Sequence, residues 1–100
     1  MRDRSDARLL GTWITDPEDS VAIRKYGKAS VVFRRDGTMT YTVHGESRDD
    51  VVLLTYRTEG DYILTDQPTE PHEERSRFFF SRDGKLTIQF GEATSRYIRA

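Results

Sequence analysis

The fold is decided by residues 30–43, SVVFRRDGTMTYTV, in which two alternating runs meet at Asp36-Gly37. Asp-Gly between such runs is the strongest short-range signal for a β-hairpin, because both residues tolerate the positive φ that tight turns require. After this turn, Met39, Tyr41 and Val43 fall on one face of the chain and three threonines fall on the other. The period of two predicts a strand whose apolar face points to the core.

Similar turn signals divide the rest of the chain at Glu59-Gly60-Asp61, Asp83-Gly84 and Gly91-Glu92. Between them lie short runs rich in β-branched and aromatic residues. The predicted strands are 9–15, 30–34, 38–43, 50–58, 61–66, one around 78–80, 86–90 and 93–99. The segment 67–74 contains two prolines and several acids, which predicts an irregular connection.

One helix is predicted between the first two strands, over residues 16–27. Asp16 is the candidate N-cap, Pro17 suits the first helical position, and Gly27 suits the C-terminal end. Eight sequential strands with one short helix predict an all-β protein, an eight-stranded antiparallel up-and-down barrel, because closure removes both exposed edges. An open curved sheet closed by dimerisation is the alternative.

Composition limits the class of protein. A chain of 100 residues is one domain, and we expect it to span 9–100 behind a charged, flexible leader at 1–8 that has no apolar signal sequence. No apolar run approaches the ~20 residues that span a bilayer. A net charge of -1 with mixed signs argues against nucleic acid, and the absence of cysteine fits a cytoplasmic protein and excludes thiolate chemistry.

The run Leu10-Gly11-Thr12-Trp13 resembles the first strand of the lipocalin and fatty-acid-binding protein superfamily, which carries Gly-x-Trp just after a short leader. The resemblance implies a calycin-type small barrel in which a cation near the end of the chain stacks on the tryptophan. Arg96 and Arg99 are the candidates, and Arg99 is preferred because it shares a strand face with Tyr97. The Arg-x-Tyr carboxylate site of fatty-acid-binding proteins has no counterpart, since Arg96 and Tyr97 are adjacent.

Several inward-facing residues could line a pocket for a hydrophobic molecule with a polar end. The predicted ligand-binding residues are Met39, Tyr41, Tyr56, Phe78, Ile88 and Arg96, and the predicted structural floor is Trp13 with Arg99. The same side chains could instead simply fill a small barrel. His44 and His72 are interpreted as surface residues, and neither a metal site nor a cofactor is predicted.

Three functions follow from this sequence. The first is non-enzymatic binding of a small hydrophobic or lipid-like ligand in a barrel cavity. The second is a solid-core interaction or assembly protein that uses its outer face. The third is a barrel-templated cyclase or isomerase, which would require a carboxylate inside the cavity. No catalytic signature is present, so a non-enzymatic role is favoured. Apolar residues on both faces at 51–54 and 78–80 predict a homodimer that buries Phe79 and either Val52 or Leu53.

Overall fold

The computed structural model describes residues 6–100, and within them eight antiparallel strands close into a barrel in sequential order. The elements are a 3-10 turn at Ala7–Leu9, β1 at Gly11–Thr15, α1 at Ser20–Tyr26, β2 at Lys28–Phe33, β3 at Thr38–His44, β4 at Asp49–Glu59, β5 at Tyr62–Asp66, β6 at Glu73–Phe80, β7 at Leu86–Phe90 and β8 at Ala93–Arg99. Pairing of β1 with β8 closes the barrel. The predicted all-β up-and-down barrel with one short helix is therefore confirmed.

The hairpin at Asp36-Gly37 forms, but not with the turn chemistry expected. Within residues 6–100 positive φ occurs only at glycines, and Gly37 has φ 88°. The Arg34 N–H donates to the Thr38 carbonyl at 2.9 Å and the Gly37 N–H to the Arg34 carbonyl at 3.2 Å. Residues 35–37 therefore form the common three-residue hairpin loop, in which a turn is followed by a glycine in the left-handed conformation. Asp36 contributes through its carboxylate, which accepts from the N–H and hydroxyl of Thr38.

The helix is shorter than predicted because a different aspartate caps it. Asp19, not Asp16, is the N-cap, and its carboxylate accepts from the Ala22 N–H at 3.2 Å. Gly27 ends the helix as predicted, with φ 80° and its N–H donating to the Ile23 carbonyl. In the described part of the chain, no helix has the length and apolar character needed to cross a membrane.

One end of the barrel, here called the floor, is closed by Leu9, Trp13, Phe80 and Arg99. Leu9 is fully buried, and its carbonyl accepts from the Trp13 indole N–H at 2.8 Å. The expected leader at 1–8 divides: residues 1–5 lie outside the described residues, whereas Asp6 caps the 3-10 turn that brings Leu9 under the barrel. Residues 6–8 therefore belong to the folded domain.

Packing fills the half of the barrel next to the floor. Phe33 and Tyr56 meet edge to face with ring centroids 5.0 Å apart, and Phe78 meets Phe80 in the same way at 5.9 Å. The Tyr56 hydroxyl donates to the Arg34 carbonyl at 2.9 Å, which satisfies the phenol inside the core. This packed half leaves the opposite half available for a cavity.

Candidate functional site: a cavity at the open end of the barrel

The half of the barrel farther from the floor holds a cavity of about 470 Å³. Its apolar walls come from inward-facing positions of the strands, including Val31, Phe33, Met39, Leu54 and Ile88. It opens at the mouth, which is formed by Tyr26 of α1, Gln67 and His72 of the β5–β6 connection, and Phe90 at the end of β7. The size lies within the range of about 300–1,000 Å³ typical of small-molecule sites.

Hydroxyl groups interrupt these apolar walls. Tyr41 on β3, Thr65 on β5, Ser76 on β6, and Ser95 and Tyr97 on β8 all line the cavity. Tyr97 is buried, and burial together with the neighbouring Tyr41 raises the pKa of its phenol well above the usual value. The phenol therefore stays protonated and can act as a hydrogen-bond donor.

At the mouth, His72 and Glu74 form an exposed pair with Nε2 and Oε1 2.8 Å apart. Glu74 contributes the carboxylate nearest to the cavity, and it lies at the entrance rather than within the interior. Across residues 6–100, no three histidine, aspartate or glutamate side chains come together in a way that could hold a metal ion.

The six predicted ligand-binding residues fall into three places. Met39, Tyr41 and Ile88 line the cavity. Tyr56 and Phe78 face inward but lie in the packed core near the floor. Arg96 does not line the cavity, because it points to the outside of β8, where its Nε donates to Asp16 Oδ2 at 2.7 Å.

The predicted contact between Trp13 and Arg99 is present. The Arg99 guanidinium carbon lies 4.2 Å from the centroid of the indole ring. Its nitrogens also donate to the carbonyls of Leu10 and Arg8, which fixes the cation beneath the floor. Gly11 suits this position because its φ is 116°, which other residues rarely adopt, and because a Cβ there would lie only 2.8 Å from Arg99 Nη1. The Gly-x-Trp spacing thus has a physical reason in this chain.

Sequence reasoning missed the buried charge cluster beside β1 and β8. The Asp16 carboxylate is almost fully buried and contacts Arg96, the Lys85 ammonium at 3.0 Å and the Glu18 N–H at 2.9 Å. The Asp19 carboxylate accepts from the Arg96 N–H at 2.9 Å, which ties the start of α1 to β8. The cationic partners Lys85 and Arg96 lie far from Asp16 in the sequence, so local spacing cannot predict this cluster.

Comparison of the chain with protein-family models, with curated proteins and with solved structures finds no match. The candidate function therefore depends on the geometry of the cavity itself.

Proposed function

We propose that this protein binds a small hydrophobic or lipid-like molecule with a polar end, non-covalently, in the cavity of its barrel. The observation that carries the proposal is the cavity of about 470 Å³, which lies above the packed floor of the barrel and is open at the mouth. Apolar walls provide the affinity of such a site, and a few hydroxyls fix the orientation of the ligand. Tyr41, Ser95 and Tyr97 supply these hydroxyls.

We also propose that the chain is built on the lipocalin and fatty-acid-binding protein plan. The support is the combination of an up-and-down barrel, Gly11-x-Trp13 in the first strand and Arg99 stacked on the indole from the last.

The proposal is tested with N-phenyl-naphthylamine, a neutral fluorophore that brightens in apolar sites. We expect its fluorescence and the melting temperature of the protein to rise on mixing, because a ligand that binds only the folded state stabilises it. Thr65→Phe should weaken both effects by narrowing the cavity. Thr55→Phe is the matched control, since Thr55 is exposed on the outside of the neighbouring strand β4.

Circular dichroism and thermal melting establish that both variants fold. If Thr65→Phe unfolds the barrel, Ala93→Phe narrows the same cavity from its mouth and replaces it in the comparison. Folded wild-type protein that neither brightens the fluorophore nor gains stability would refute the proposal, as would undiminished binding in both folded variants with a narrowed cavity.

Assembly through the outer face is a second candidate function, favoured by a specific observation. Leu53 is 66% exposed and Val51 57% exposed on the outside of β4, next to each other on the same face. Large apolar side chains grouped on a strand face are typical of a surface that another protein covers. Such a surface lies outside the barrel and is compatible with a ligand inside it.

A further inference from the structure

The cavity interior carries no positive charge. Among the described residues that line it, none is a lysine or an arginine, and the groups that can ionise other than phenols are His72 and Glu74 at the mouth. Arg96, which the sequence analysis predicts as a ligand-binding cation, is held on the outside of the barrel by the buried Asp16. A ligand that enters with a negative charge therefore meets no cation inside.

What the interior offers instead is a set of neutral hydroxyls. Tyr41 and Tyr97 approach each other from β3 and β8, and Ser95 lies beside Tyr97 on the same inward face. A hydroxyl both donates and accepts one or more hydrogen bonds, so it can satisfy an alcohol or a carbonyl equally well. It offers no opposite charge to an anion.

The free energy of burial therefore differs between a ligand with an uncharged polar end and a ligand with an ionised one. Burying a polar group that finds a hydrogen-bond partner costs little, whereas burying an ionised carboxylate without a counter-charge costs a great deal or forces it to bind a proton. Glu74 adds to this difference, because its carboxylate at the mouth repels an approaching anion.

We infer that the cavity selects ligands whose polar end is uncharged, such as long-chain alcohols, and discriminates against carboxylates of the same chain length. This inference rests on the proposed ligand-binding function and specifies its substrate class. The uncharged end lies against Tyr41, Ser95 and Tyr97, and Glu74 at the mouth disfavours anions.

The test is displacement of N-phenyl-naphthylamine by decanol and by decanoate at pH 8 and low ionic strength, where decanoate is fully ionised. We expect decanol to displace the fluorophore with at least about tenfold higher affinity. Decanoate that binds as tightly as decanol overturns the inference while leaving the proposed function intact. Failure of the fluorophore and of both competitors to bind refutes the proposed function instead.

Two pairs of variants separate this selectivity from the simple preference of any apolar site for an alcohol. Tyr41→Phe should weaken decanol about threefold or more by removing a hydrogen-bond partner, whereas Tyr62→Phe, outside the barrel beneath Arg75, should not. Glu74→Gln should raise the affinity for decanoate, whereas Glu73→Gln, whose carboxylate pairs with Arg57 on the outer face, should not. Unchanged decanol affinity in Tyr41→Phe, or equal effects of the two glutamate variants on decanoate, overturns the inference.

Discussion

At the scale of single residues, the buried Asp16 carboxylate has three partners, and one substitution can remove all three interactions. The N–H of Glu18, the guanidinium of Arg96 and the ammonium of Lys85 hold the pKa of the Asp16 carboxyl well below its ordinary value. Loss of hydrogen bonds to a charged group costs about 1.5–3 kcal/mol, and the lower range applies here because Arg96 and Lys85 remain partly exposed to solvent. We expect Asp16→Asn to destabilise the barrel by that amount at pH 7, measured by urea denaturation.

The same carboxylate makes stability depend on pH in a defined direction. Because its pKa is lower in the folded than in the unfolded state, the unfolded chain binds more protons in acid. The stabilisation is complete above the unfolded value of about 4 and is lost as the pH falls below it toward the folded value. Asp16→Asn should flatten this acid limb, whereas Asp50→Asn, at an exposed site, should leave it as in the wild type. Parallel acid limbs in Asp16→Asn and the wild type would contradict this role.

At the scale of elements, the seam between β1 and β8 decides whether the sheet is a barrel. The seam is short, since only Trp13, Ile14 and Thr15 pair with β8. Arg99 reinforces it by stacking on Trp13 and by bonding to the carbonyls of Leu10 and Arg8. A cation over an aromatic ring at an exposed site contributes about 0.5–1 kcal/mol.

A double-mutant cycle isolates this contact. We expect Trp13→Leu and Arg99→Ala to show a coupling free energy of about 0.5–1 kcal/mol in chemical denaturation, since each removes one half of the stack. The cycle of Trp13→Leu with Arg96→Ala serves as the control, because Arg96 lies on the outer face and contacts Asp16. Additivity in the Arg99 cycle would show that the stack contributes nothing to stability.

The strands and turns are the part of this fold that the sequence predicts best. The alternation in β3 and the glycines at the turns depend on local geometry, and local geometry can be predicted from a short stretch of sequence. The depth of a residue along the barrel, in contrast, does not depend on local geometry. Tyr41 and Tyr56 both face inward, yet the pairing of Tyr41 with Val52 sets Tyr56 four residues nearer the floor, so only Tyr41 reaches the cavity. The register between strands decides this, and alternation within one strand carries no information on it.

The burial of Asp16 could not be predicted for a related reason. An aspartate before proline has a local interpretation as a helix cap, and it competes there with Asp19 for the same helix. The position goes to Asp19 because Arg96, 80 residues away, and Lys85 hold Asp16. A contact of that separation exists only once the barrel has closed.

At the scale of the whole molecule, the barrel divides its two ends between stability and binding. At the floor, the half of the barrel without a cavity is packed by apolar side chains, including Leu9, Trp13 and Phe78. The other half is less completely packed, because it encloses the cavity. Because an apolar void forfeits contact energy, a ligand that fills it should stabilise the fold as well as bind.

The predicted homodimer depends on residues of the outer surface, and the strand register shows which of the proposed contact residues lie there. Val52 lines the cavity, so Leu53 is the residue of that pair on the outside. Thr55 pairs with Asp66 and Asp66 with Glu73, which sets Leu53 and Phe79 eight positions apart along the strand direction, or about 26 Å. These two exposed side chains therefore belong to different regions of the surface.

Of these two regions, the one around Leu53 is better suited to a two-fold contact. Leu53 lies beside Thr40 and, through it, Val32, and Val51 is exposed on the same strand, whereas Phe79 lies beside Thr87. A net charge of -1 opposes self-association only weakly. We expect sedimentation at micromolar concentration to give a dimer that Leu53→Ser dissociates and Phe79→Ser does not. A monomeric mass for the wild type would remove the dimer altogether, and dissociation by Phe79→Ser alone would move the interface to β6, because a two-fold contact buries the same patch on both copies.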